Sequence, residues 1–470
     1  MRIAIAGGGL AGLTAGLLLA RAGHPVELFE GDSTEPPSVA ADAFRDWERP
    51  GVAQYRMPHQ VMGRLRRELI SRAPEVRDAL LEAGAQEHEA FRKIPGGEWL
   101  PADEELVFTF VRRPVLESVL RRLAVEAGVR INRGVRVEGL LVEGGAAAGL
   151  RTSTGDAAAE LVVDATGRRT PVAAWLGDHG LEVPEVERSD CGVVYYCRYY
   201  RLLPGSQYPE TPYPTGAPLG DASGVRFNLM RADNRTHSIL LGTPSSDRGF
   251  RRLRESAVFE AVLREMPPLG PYVARGFAEP ITEVLAMGDI ENLRRHYARG
   301  GVSLLPGLVG VGDSYCHTDP LFGWGASFAV AHAAALVDAV AAGGESASIS
   351  ARVEAAIAPE ADEAFSTATL EDDARIREWR GEPINPDPES DVASFVRRVV
   401  APGVGADPVL FRAAMRRVMI LDSPGHLYRD AEVKQRAIEV AARTAGAPRP
   451  WEPPSRERLA AVMAQGGPPH

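Results

Sequence analysis

Residues 3–31 read IAIAGGGLAGLTAGLLLARAGHPVELFEG, and the choice between helix and turn here decides the fold. Residues 3–20 carry no charge and follow Arg2, the profile of a secretory signal or a membrane span. Five of these 18 residues are glycine, at 7, 8, 9, 12 and 16. Each interior glycine weakens a helix by about 1 kcal/mol relative to alanine, which disfavours one continuous apolar helix. The stretch reads instead as a βαβ unit. Residues 2–6 form a strand, the glycines a tight turn and residues 10–22 a helix; Gly23 ends that helix, and residues 25–30 form a second strand. Gly7-x-Gly9-x-x-Gly12 opens the helix, and Glu30 lies 21 residues past Gly9, the spacing of a dinucleotide-binding turn. Gly7 permits the turn, Gly9 lets backbone approach a pyrophosphate, Gly12 lets helix and strand pack, and Glu30 would accept from ribose hydroxyls. NAD and FAD remain equal candidates at this point.

The chain has 470 residues, enough for two or three structural units. A net charge of −10 without a sustained basic run argues against nucleic acid or an anionic membrane as the main partner. Cys191, Cys197 and Cys316 form no C-x-x-C pair, and a cytoplasmic location is expected. Lys93 and Lys434 are the only lysines, so a catalytic lysine has two candidates. Residues 32–58 form a long Pro-, Asp- and Arg-rich excursion, and loops of that length tend to be functional. A helix is expected from His59 to Gly84, a second beginning at Pro114, and then a hairpin followed by the strand AELVVDATG. From Trp175 onward GVVYYCRYYRLL, GVRFNLMRA and HSILLGTPS read as strands of an inserted antiparallel sheet, with a helix from about Arg252 to Glu265. Domains are therefore expected at 1–174, 175–300, 301–345 (a return to the first) and 346–470, the last helical with a Pro-rich, partly mobile tail.

A second signature is LVGVGDSYCHTDPLFGWGASFAVAHAAAL, residues 308–336. A strand ends in Gly312-Asp313, and a turn of Asp319, Pro320, Gly323 and Gly325 opens an alanine-rich helix. Two glycine-lined helix N-termini can hold the two ends of one extended ligand. With Gly7-x-Gly9-x-x-Gly12 and Glu30, with Asp164-Ala165-Thr166-Gly167, and with Arg113 in RRPVLESVL, this arrangement resembles the glutathione-reductase-type FAD fold and its para-hydroxybenzoate-hydroxylase-like monooxygenases. ERPGVAQYRMPHQV is similar to a loop of actinobacterial flavin epoxidases of natural-product biosynthesis. The resemblance covers roughly residues 1–345. It implies an α/β fold: a glutathione-reductase-type, Rossmann-like FAD-binding domain with an inserted antiparallel β-sheet substrate domain and a C-terminal helical region. It implies FAD held by Gly7, Gly9, Leu10, Ala11, Gly12, Glu30, Arg113, Val137, Ala165, Gly167, Gly312, Asp313, Pro320, Gly323, Trp324, Gly325 and Ala326. Asp313 would bind the ribityl chain, Arg113 the phosphate region, Val137 the adenine edge through its backbone, and residues 323–326 the flavin N1 and C2 carbonyl. A helix N-terminus there stabilises the negative charge of reduced flavin.

No second G-x-G-x-x-G follows a strand, and no redox cysteine pair is present, which sets disulfide reductases aside. The resemblance implies a monooxygenase that hydroxylates or epoxidises a small aromatic or polyene substrate with O2 through a C4a-hydroperoxyflavin. Its electrons would come from NADPH or NADH, directly or through a partner flavin reductase. DATGRRTP replaces the Asp-Gly motif with which relatives contact NADPH. No metal-ligand spacing is evident. Alternation in GVVYYCRYYRLL gives two faces, and the Tyr196–Arg198 face is expected to meet the substrate, because an arginine inside an aromatic strand points into a cavity or to a partner. Trp324 is expected to wall the pocket, with His59 and His317 flanking it as proton-transfer candidates or satisfied structural histidines. A halogenase is the nearest rival, although W-x-W-x-I-P is absent and Lys93 alone could serve it. An alkene reductase and a non-catalytic escort protein share the fold.

Overall fold

The structure is a computed structural model, and it describes all residues except 91–96, 210–215, 384, 386, 388, 446–450 and 467–470. Lys93 and part of the Pro-rich tail lie outside the described residues. A five-stranded parallel sheet forms the base, in the order Leu308–Gly310, Leu161–Asp164, Ile3–Ala6, Val26–Glu30, Arg130–Arg133. All four residues of Ile3–Ala6 and of Leu161–Asp164 are buried, as expected of parallel strands covered on both faces. The chain first extends the sheet to one side of Ile3–Ala6 and then to the other. Ligands bind beyond the carboxyl ends of the strands at such a reversal. The helices Leu10–Arg21 and Trp324–Ala341 pack together over this sheet, so both glycine turns open toward the same crevice. Trp324–Ala341 is long and apolar enough to cross a membrane, yet 72% of it is buried inside the fold, against Leu10–Arg21 and the 34-residue helix Ser346–Trp379.

A second, antiparallel sheet covers the crevice, in the order Leu219–Ala222, Val225–Arg231, Thr236–Pro244, Val193–Leu202, Ala278–Pro280, with Leu285–Met287 also paired to Val193–Leu202. Alternation gives it two unlike faces. Tyr195, Cys197 and Tyr199 pack with Phe44 and Met57 toward the first domain. Tyr196, Tyr200, Phe227 and Leu229 pack under the helix Ser256–Glu265, in a core completed by Leu459, Val462 and Met463 of the helix Arg456–Gln465. The tail thus includes a docked helix between its undescribed stretches.

Two expected elements differ. The helix foreseen from His59 to Gly84 is broken into a short helical segment, Gly63–Leu65 running on into Arg66–Ile70, and a helix Glu75–Glu82, because Pro74 cannot continue the first segment. The helix foreseen from Arg252 begins at Ser256, after a tighter turn over Arg248–Arg254.

Candidate cofactor and substrate site

A cavity of about 460 Å³ runs from the first glycine turn to the antiparallel sheet. Among the described residues, no side chain caps either of the two helix N-termini that meet it, and neither first turn carries an acidic residue, which leaves N–H groups there for a ligand. The glycines divide into two kinds. A Cβ on Gly7 (φ +103°) or Gly12 would collide with backbone, of Ala165 and Gly7 respectively, and one on Gly312 (φ +60°) would press on Ala11 at 2.8 Å. Gly12 and Gly312 do not line the cavity; they permit close packing beside it. A Cβ on Gly9 would instead point into open cavity, 3.8 Å from Arg113, and one on Gly325 likewise, 3.7 Å from Asp313. Bare backbone, uncapped N–H groups and an arginine fit a pyrophosphate at one end, and the second turn fits an anionic isoalloxazine edge at the other.

Side chains hold these turns in place. Glu30 accepts from the backbone N–H groups of Gly8 and Asp32, at 2.9 Å each, and pairs with Arg49. Arg49 also donates to the Gly8 carbonyl at 2.9 Å and to Glu117 at 2.7 Å. Glu117 takes Arg113 Nε at 2.7 Å on its other oxygen. Burial opposes ionisation of Glu117, but the flanking Arg113 and Arg49 charges outweigh it and hold its carboxyl below the usual range. Arg49 sits in the long excursion, where no periodicity marks it; the excursion's length is the only signal.

At the second turn, Asp313 lies 3.3 Å from His317 Nδ1 and accepts from Gln54 at 3.4 Å. Burial raises the Asp313 carboxyl, and His317, then Arg113, lower it by more. His59 has Nδ1 2.8 Å from the Met57 carbonyl and Nε2 3.2 Å from Arg113. Burial and then the Arg113 charge push His59 down to about 4, so it is neutral at pH 7 and its Nε2 accepts from the arginine. His332 is the acceptor for the Gly312 N–H, at 3.1 Å. Asp164 is a fully buried hub taking Thr166, Thr170, Tyr297 and Ser314, which ties the DATG strand end to the return loop.

Gly7, Gly9, Leu10, Ala11, Glu30, Arg113, Val137, Ala165, Gly167, Asp313, Pro320, Gly323, Gly325 and Ala326 all line the cavity, as do His59 and His317. The expectations for three residues are corrected. Tyr196 and Arg198 face away from it: Arg198 is paired at 2.6 Å with Glu260 of the helix Ser256–Glu265, a partner that explains an arginine inside an aromatic strand. The sheet wall is the opposite face, with Tyr195, Asn228, Met230, Leu240 and Met287. Trp324 turns out of the cavity into a cluster with Phe328, Ala364, Ala368 and Ile420, under the Arg417 guanidinium at 5.2 Å. Among the described residues, Cys191, Asp319 and Asp372 lie close enough to hold a metal, but the Arg375 guanidinium, 2.9 Å from both carboxylates, already supplies the positive charge.

This crevice, with two amide-rich turns and a sheet closing it, defines a class, and the comparisons agree. Residues 2–174 match the family model described as FAD dependent oxidoreductase. Across its length the chain is similar in structure to the flavin-dependent brominase Bmp2 (TM-score 0.60, 17% identity, 94% of this chain and 100% of that one) and to PqsL, a probable FAD-dependent monooxygenase from Pseudomonas aeruginosa (TM-score 0.57, 17% identity, 81% and 99%). The N-terminal 2–174 segment thus matches the FAD dependent oxidoreductase model, and the chain as a whole shares the fold of these flavin-dependent proteins. Among curated sequences it is similar to Protein Rv3254 of Mycobacterium tuberculosis (26% identity, 68% of this chain and 69% of that one). It is also similar to the Bifunctional protein ThiO/ThiG of Trichormus variabilis (29% identity, 45% of this chain), of whose length it spans 31%.

Proposed function

We propose that the protein is an FAD-dependent monooxygenase that hydroxylates or epoxidises a small, largely apolar molecule held between the second glycine turn and the Tyr195 face of the sheet. Bound FAD, once reduced, supplies O2 activation: one oxygen atom enters the substrate, and the other leaves as water at the expense of a two-electron donor. The chain's own contribution is binding and exclusion of water. Gly9 and the first helix N-terminus take the pyrophosphate with Arg113, Glu30 takes ribose hydroxyls, and Val137 borders the adenine. Asp313 takes ribityl hydroxyls, and the amides of residues 323–326 stabilise negative charge on the reduced ring. The observation that carries the reading is the single cavity that joins both turns to an aromatic and thioether-lined sheet wall.

NADPH or NADH would supply electrons, directly or through a partner flavin reductase. Anaerobic mixing of FAD-loaded protein with each nucleotide, with and without an added reductase, separates these routes by bleaching of the flavin band. Oxygen uptake matched one-to-one by oxygenated product is the result expected. Halide-dependent product, or substrate reduction without oxygen uptake, would replace this reading with a halogenase or an alkene reductase.

A further inference from the structure

Resting on the oxygenase reading, we propose that the sheet end of the cavity selects an uncharged substrate and orients it through the carboxamide of Asn228. Asn228 lies on Val225–Arg231, with Leu240 as its register partner on Thr236–Pro244, and its side chain is on the cavity face with Met230. It is half-buried and makes no side-chain hydrogen bond among the described residues. Its surroundings on this wall are Tyr195, Met230, Leu240 and Met287, with Leu321 from the second turn. The Tyr195 hydroxyl is already committed, donating to the buried Asp319 at 2.5 Å, and its ring lies over Gly242, where a Cβ would come within 3.0 Å of it.

Charge is distributed unevenly. The charged side chains that line the cavity, Arg136, Arg168 and Arg169 as well as Glu30, Arg49, Arg113 and Asp313, all come from the cofactor domain, and Arg49 is paired with Glu30 and Asp32. Among the described residues, no sheet residue lining the cavity carries a charge. A carboxylate or ammonium on the substrate would lose its hydration against thioether and aromatic carbon with no counter-ion, whereas a neutral ring system would not. An unengaged amide offers one acceptor and two donors. Asn228 therefore suits a lactam, carboxamide, ketone or N–H heterocycle, and it would set which carbon of the ring faces the flavin.

The test uses full-length, FAD-loaded protein in the oxidised state and three probes of one shape: 2-naphthamide, 2-naphthoate and 2-methylnaphthalene. Binding is read from the change in the flavin absorption band. The amide should bind at least about tenfold more tightly than the carboxylate. Asn228→Leu should weaken the amide about fivefold, the worth of one hydrogen bond, and leave the hydrocarbon unchanged; Asn228→Ala serves if the leucine variant does not fold. Equal or tighter binding of 2-naphthoate, equal weakening of all three probes, or no response to any of them would overturn the proposal. Oxygen uptake plays no part in this readout. Neutral-selective binding without oxygenation would refute the oxygenase reading alone, and an oxygenase that preferred the carboxylate would refute only this inference.

Discussion

Beyond the Cα atoms of Gly9 and Gly325 lies open cavity, whereas at Gly7 and Gly12 backbone already fills that space. Substitution should separate the two kinds. Gly9→Val and Gly325→Val are expected to weaken FAD binding by at least about 100-fold, equivalent to about 3 kcal/mol, while the apoprotein unfolds near the wild-type temperature. Gly12→Ala should lower apoprotein stability itself. The flavin-to-protein absorbance ratio and thermal unfolding of the apoprotein read the two effects. His332 gives a second prediction at this scale. Its side chain is buried, which pushes it down to about 3, and Nδ1 holds the Gly312 N–H. The unfolded chain takes up this proton near the ordinary histidine value of 6.5, well before the folded chain does, so stability is present at neutral pH and is lost as pH falls from about 6.5 toward 3. The slope should be roughly 1.4 kcal/mol per pH unit for each such histidine. Denaturant titrations between pH 4 and 7 should show a shallower slope by about one proton in His332→Gln, whose amide oxygen can still accept from Gly312.

The turn between Asp319 and Gly325 is an element held from outside itself. Asp319 caps the Leu321 N–H at 3.0 Å, takes the Tyr195 hydroxyl, and pairs with Arg375 of the helix Ser346–Trp379. Asn292 donates to Asp372 at 2.8 Å and accepts the Asp319 backbone N–H at 2.7 Å. Two buried carboxyl groups share one guanidinium, and burial, then repulsion from Asp319, push the Asp372 carboxyl well above the usual carboxylate range. Arg375→Met leaves the Asp319 charge buried without a partner and should cost about 3–5 kcal/mol in thermal unfolding of the loaded protein. Adding Asp319→Asn should recover much of this loss. Arg375→Lys should recover only part of it, since one nitrogen contacts both carboxylates, as Nη1 does, but a lysine has no second nitrogen for the Cys191 carbonyl that Nη2 holds. This network also shows what the sequence could not reveal. The two glycine turns were legible because positive φ and close backbone approach are local demands that only glycine meets. Which face of Val193–Leu202 meets the cavity is settled by the helices that cover the other face, Ser256–Glu265 and Arg456–Gln465, and alternation alone is symmetric between the two. Trp324 misled for the same reason: its neighbours Ala364, Ala368 and Ile420 come from the region beyond residue 345, whose docking leaves no local mark. Arg49 lies in a segment without periodicity and is identified only by its contacts with Glu30 and Glu117.

At the scale of the whole molecule, the inserted sheet is clamped to the cofactor domain by one buried pair. The turn after Val225–Arg231 carries Asp233, fully buried, which accepts the Arg112 backbone N–H at 2.7 Å and its Nε at 3.0 Å. Asn234 extends the same turn to the Ala83 carbonyl at 2.9 Å. The Arg112 guanidinium stacks over Phe44, 4.5 Å from the ring centre, and so reaches the cluster behind Tyr195. Removing one member of such a pair strands the other without water, so Asp233→Ala should destabilise the protein by about 3–5 kcal/mol, and Asp233→Asn, which retains an acceptor for the backbone N–H, by less. Arg112 adjoins Arg113, the arginine above Gly9, which raises the question of whether the clamp also sets the cofactor site. Arg113 has its own anchors in Glu117 and His59, neither of which touches Asp233. The paired variant Arg112→Met with Asp233→Leu should therefore regain most of the lost stability by apolar packing, and FAD affinity should return with it. Thermal unfolding beside a flavin titration decides the point. If stability returned while FAD stayed weak, the clamp would be positioning Arg113 across the domain boundary, and the two domains would have to close together before either end of the cofactor is held.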